Sequence, residues 1–117
     1  MITFGGGHNE ASGGAGNDYI LMYGTTATIE GGAGDDRLRL MADVSTVLYD
    51  GVENEGADFI MIFNTQADIL RISNMTFDDL LIEKAGVDTK ITLLGGTEIT
   101  LEEVRPNDLT IDNFEFV

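Results

Sequence analysis

The sequence predicts an all-β chain: a right-handed parallel roll of short strands, closed by an antiparallel β cap towards the C-terminus. Three observations predict it. A glycine-aspartate motif recurs at a fixed interval in the first half. An apolar residue recurs every nine positions along the same stretch. In the second half, apolar runs are separated by the turn signals Ala85-Gly86 and Gly95-Gly96.

The motif reads Gly-Gly-x-Gly-x-Asp-x-apolar. One copy begins at Gly13 and the next at Gly31, 18 residues on, with Asp18 and Asp36 sixth and Ile20 and Leu38 eighth. An interval of 18 is two nonapeptides. The intervening copy, Met22 to Glu30, lacks the Asp but keeps Ile29 at the apolar place. The full apolar series is Ala11, Ile20, Ile29, Leu38 and Val47. A weaker copy precedes it, Phe4-Gly5-Gly6-Gly7-His8-Asn9, with Asn9 where Asp would stand. After Val47 the register slips. Gly56-Ala57-Asp58-Phe59-Ile60 reads as a further copy behind the insertion Val52–Glu55, and Asn64 to Leu70 as a last one, with Asp68 and Leu70 in the sixth and eighth places.

Each nonapeptide divides into six loop residues and a short strand whose central apolar residue faces inward, because side chains alternate across a strand. Two nonapeptides make one coil, and stacked coils lie about 4.8 Å apart, the spacing of paired strands. About three coils are expected over residues 4–62, with Met22, Leu40, Ile60 and Ile62 joining the core. This core is thin, and glycine loses more freedom on folding than any other residue. The roll is therefore expected to need a metal or a cap to fold.

The cap is expected over 68–117, giving two regions, 1–67 and 68–117, in one structural unit. Ile69, Leu70 and Ile72 continue the strand character. Thr76-x-x-Asp79 before Leu80-Leu81 opens a short helix in the manner of a capping box. Leu81–Lys84, Lys90–Leu94 and Glu98–Leu101 read as an antiparallel meander, and Pro106 as the start of a last helical turn. Phe114 and Phe116 alternate with acids at the chain end and must pack back on the roll to be covered.

At its repeats the chain resembles the RTX (haemolysin-type) calcium-binding repeat family. The stretch from Asp68 through Phe77-Asp78-Asp79-Leu80-Leu81, Asp88–Leu93 and Leu109–Phe116 is similar to the C-terminal region of proteins exported by type I secretion. The resemblance implies a calcium ion sandwiched between loops of successive coils, with loop residues facing alternately up and down.

Calcium takes six to eight oxygen ligands at 2.3–2.6 Å. The side-chain candidates are Asn17, Asp18, Asp35 and Asp36; the carbonyl candidates are Gly13, Gly14, Ala15 and Gly16 with Gly31, Gly32, Ala33 and Gly34. Which loop offers its odd positions is open. A weaker site would use Asp58, with Asp50 as a further candidate, and at most one poor site on the opposite edge would involve Asn9, Asp43 or Asp68.

The rest of the sequence excludes much. Six Lys and Arg face 21 Asp and Glu, a net charge of −15, which makes nucleic acid and anionic membranes poor partners. Such a surface also repels itself, and bound cations would relieve it. No apolar run reaches the roughly 20 residues of a membrane helix. There is no cysteine, so no disulfide or thiolate metal site. His8 is the single histidine, so neither a zinc triad nor a Ser-His-Asp constellation is indicated, and no EF-hand, Walker or dinucleotide fingerprint occurs. Asp78-Asp79 and Glu102-Glu103 read as surface acids.

The expected role is a non-enzymatic calcium-binding module, the C-terminal part of a secreted bacterial protein, that folds on meeting calcium outside the cell. The resemblance implies export by the type I secretion machinery, with the signal near 70–117 and no cleaved leader. The alternative is an accessory module of a carbohydrate-active enzyme such as an alginate epimerase, binding acidic polysaccharide through Arg37, Arg39 and Arg71.

Overall fold

The computed structural model describes residues 2–4 and 6–117, the first three as backbone only. Gly5, part of the weak first repeat, lies outside the described residues. The molecule is a parallel β-solenoid of about three turns with an antiparallel end.

Strands alternate between two sheets. The first sheet stacks β1 (Ile2–Phe4), β3 (Tyr19–Met22), β5 (Arg37–Leu40) and β7 (Ala57–Met61) in parallel. The second stacks β2 (His8–Ser12), β4 (Thr26–Glu30), β6 (Val44–Asp50) and β8 (Ile69–Ser73) in parallel. The register puts like on like. Ile20 pairs with Leu38 and Leu38 with Ile60; on the other side Ala11 pairs with Ile29, Ile29 with Val47 and Val47 with Leu70. All of these are buried, as the nine-residue period requires. The residue two places further on is inward as well, at Met22, Leu40 and Tyr49.

The expectation for Ile62 is corrected. It is exposed and adopts φ 61°, a left-handed conformation that reverses the alternation. Phe63 takes the inward place instead.

The cap forms as a meander of β9 (Leu81–Ala85), β10 (Asp88–Thr92) and β11 (Glu98–Leu101). Its last strand also lies parallel on β7, so cap and roll share one seven-stranded sheet and one core. The segment after Thr76 is a single 3-10 turn, Phe77–Asp79, in which Asp79 Oδ2 accepts the Thr76 N–H at 3.1 Å. A second 3-10 turn opens at Pro106. The chain end returns to the roll: β12 (Phe114–Phe116) pairs parallel with β8. Phe114 is buried, and its ring meets Phe77 edge-on with centroids 5.6 Å apart. Asn113 Nδ2 donates to the carbonyls of Thr65 and Asp68 at 2.9 and 3.1 Å.

Candidate metal centre

The loops that join the second sheet to the first carry the full motifs, and they stack directly. A methyl built on Gly32 would lie 2.3 Å from the Gly14 carbonyl oxygen, and one on Gly34 2.3 Å from that of Gly16. Only glycine can stand there, and both residues also take positive φ, 83° and 108°. The slipped copy rejoins the stack, since a methyl on Gly56 would lie 2.3 Å from Gly34 O. The insertion Val52–Glu55 is thus absorbed before the loop closes.

Two ladders of side-chain oxygens run through these loops in opposite senses. At the fifth position, Asn17 Oδ1 accepts the Asp35 N–H at 2.8 Å and Asp35 Oδ1 accepts the Ala57 N–H at 2.9 Å. At the sixth, Asp36 Oδ1 accepts the Asp18 N–H at 2.8 Å and Asp58 Oδ1 accepts the Asp36 N–H at 2.9 Å. Fifth-position side chains therefore face the following turn, and sixth-position ones the preceding turn.

The second carboxylate oxygens differ along the ladder. Asp18 Oδ2 and Asp36 Oδ2 are buried and have no hydrogen-bond partner among the described residues. Each looks back at the first glycine of its own loop: methyls on Gly13 and Gly31 would sit 2.7 and 2.6 Å from them. A buried carboxylate oxygen without a donor is costly. Burial accordingly pushes the Asp36 carboxyl above its ordinary range, opposed by the Asp18 N–H and reinforced by the charges of Asp18 and Asp35. Asp58 is pushed further, from 3.8 to about 7, again chiefly by burial. Its Oδ2, however, accepts the Tyr49 hydroxyl at 2.9 Å.

The candidate ligand atoms at loops 13–18 and 31–36 are all oxygens: the second carboxylate oxygens of Asp18 and Asp36, Asn17, Asp35 and the glycine-loop carbonyls. That set suits a hard cation. Among the described residues no three His, Cys, Asp or Glu side chains converge as a metal group. The carbonyls of Gly14, Gly16 and Gly34 lie against the glycines of the following turn.

The other expected residues have other duties. Asp50 Oδ1 accepts the Val52 N–H at 3.1 Å and Asn74 Nδ2 at 3.2 Å, and these bonds hold its carboxyl below the ordinary range. On the opposite edge, Asp68 accepts the N–H groups of Ser45 and Asn64, both at 2.8 Å, while Asn9 Nδ2 donates to the carbonyls of Gly6 and Tyr23. His8 is exposed, and Nδ1 meets the Thr26 hydroxyl. Three further residues were not singled out by sequence. Tyr49 could have been found by alternation from Val47, since a buried tyrosine hydroxyl needs a partner. Thr97 and Glu55 carried no such signal. Thr97 Oγ1 accepts the Glu55 N–H at 2.8 Å and donates to Glu53 O at 2.9 Å, joining the cap to the last loop.

No protein-family model matches the chain, and no curated protein matches it in sequence. Solved structures do. The chain is similar to the extracellular lipase LipA from Serratia marcescens, with a TM-score of 0.72 and 22% identity over 96% of this chain and 20% of the lipase. It is similar to the AlgE6R2 subunit of the Azotobacter vinelandii mannuronan C5-epimerase, at 0.70 and 22% over 98% of this chain and 91% of the subunit. The AlgE6R3 subunit of the same enzyme follows at 0.56 and 21%, over 92% and 77%. What is shared is the fold. The chain spans about a fifth of the length of the lipase.

Proposed function

We propose that this chain is a calcium-binding β-roll module of a secreted protein, which folds when it meets calcium outside the cell after type I export. One observation carries the reading: the buried oxygens Asp18 Oδ2 and Asp36 Oδ2, unpartnered among the described residues, inside all-oxygen glycine loops. Calcium held between loops 13–18 and 31–36 would supply the charge that Asp36 Oδ2, which faces loop 13–18, lacks. Binding would then be folding free energy, because the two loops meet only in the folded roll. At millimolar extracellular levels calcium matches the dissociation constants of about 10⁻⁴–10⁻³ M typical of outside modules. The net charge of −15 favours the unfolded chain until cations arrive. The extracellular lipase among the structural neighbours supports the location.

Circular dichroism tests this. Chelator should leave the chain largely disordered, calcium should restore β signal, and magnesium should do so poorly because it demands tight octahedral geometry. Equal β content in chelator and in calcium, with metal removal verified, refutes the reading.

The polysaccharide-module reading has one observation in its favour, the near full-length likeness to AlgE6R2. Its arginines are not on one face, however. Arg37 and Arg39 lie on β5 in the first sheet, whereas Arg71 lies on β8 in the second and pairs with Glu115 at 3.0 Å. Titration of the calcium-loaded chain with mannuronan separates the two readings; saturable binding lost in Arg37→Ala/Arg39→Ala supports the second.

A further inference from the structure

Asp58 repeats the backbone duty of Asp36 one turn later, yet its second oxygen meets a different neighbour. At Asp18 and Asp36 that oxygen is buried and has no partner among the described residues; at Asp58 the Tyr49 hydroxyl donates to it at 2.9 Å. Both partners are buried, Tyr49 5% and Asp58 3% exposed, so water does not compete for the bond. The carbonyl side of this level is engaged too. Glu53, in the inserted stretch just before this loop closes, gives its carbonyl to the Thr97 hydroxyl at 2.9 Å. The Tyr49 hydroxyl proton thus points at the oxygen whose counterpart one turn earlier, Asp36 Oδ2, is a candidate for a cation, and Glu55 Oε2 is left as the buried carboxylate oxygen of this stretch without a partner among the described residues. An O–H donor aimed at a carboxylate oxygen excludes a cation from that lone pair.

We propose that Tyr49 ends the cation stack. It seals the Asp58 level with a neutral donor, so Asp58 carries no calcium ion in the native chain and the ions are confined to loops 13–18 and 31–36. This rests on the calcium reading above and adds to it where the stack stops and which residue stops it.

Native mass spectrometry of the full chain in saturating calcium counts the ions directly, with calorimetric titration as a check. Asp58→Asn should keep the wild-type count and need no more calcium than wild type, whereas Asp36→Asn should lose at least one ion. Tyr49→Phe should gain one ion, and adding Asp58→Asn to it should abolish the gain. An Asp58→Asn variant with fewer ions than wild type overturns the proposal. So does a Tyr49→Phe variant that folds with the wild-type count. If Tyr49→Phe fails to fold, Asp58→Asn decides alone. A wild-type chain that binds no calcium is a different failure: it removes the calcium reading itself and the stack with it.

Discussion

Replacing Asp58 with Asn should stabilise the calcium-loaded protein, and by an amount that grows with pH. Asn keeps the carbonyl oxygen that accepts the Asp36 N–H, turns Nδ2 as a donor to the Tyr49 hydroxyl oxygen in place of the acceptor Oδ2, and removes a charge that burial penalises. Burial raises the Asp58 carboxyl from 3.8 to about 7. Because the folded value is raised, the stability this group contributes is fully present below pH ~3.8 and is lost as pH rises towards about 7. At 1.36 kcal/mol per pH unit, the loss is about 4 kcal/mol at about pH 8, and under about 2 kcal/mol at about pH 5. Asn, which stays neutral throughout, avoids both. Urea midpoints of wild type and Asp58→Asn at the two pH values, in saturating calcium, give the comparison. The variant should gain roughly 2–3 kcal/mol more at the higher pH than at the lower. A variant destabilised at both pH values, or stabilised equally at both, refutes the reasoning.

Other perturbations follow from single contacts. Gly34→Ala places a methyl against Gly16 O and should destabilise the roll by at least about 2 kcal/mol, read as a rise in the calcium midpoint. Ile62→Asn relieves a β-branched residue at φ 61° on the surface and should raise the urea midpoint by the equivalent of about 1 kcal/mol. Phe114→Ala empties a buried ring position and should cost about 3 kcal/mol. Deleting residues 113–117 also removes the Asn113 bonds to Thr65 and Asp68, so it should weaken calcium-induced folding further and reduce passage through a type I exporter. Unchanged calcium midpoint and secreted yield would make the terminal strand idle.

The period of nine was legible because each apolar residue answers to its like in the next strand, as Ile20 does to Leu38. Asp18 and Asp36 were legible for the same reason, and Asp58 despite the insertion before it. Periodicity tells inward from outward but does not name partners. Glu55 meets Thr97 across 42 residues, and Arg71 meets Glu115 across 44. No repeat encodes either pair. Nor does local pattern show that β11 would lie parallel on β7, or β12 parallel on β8. Alternation alone places Ile62 inward, because it assumes a continuing strand, and the left-handed residue breaks it.

The opposed ladders have a consequence for how the roll melts. Fifth-position oxygens hold the amide of the next turn and sixth-position oxygens that of the previous one. Losing one Asp-Asp dipeptide therefore unpairs amides on both sides at once. In a one-dimensional array, strong coupling between neighbours suppresses partly frayed states. With so few turns there is little room for a boundary between ordered and disordered segments. The roll should respond to calcium as a two-position latch, all turns closing together over a narrow span of concentration.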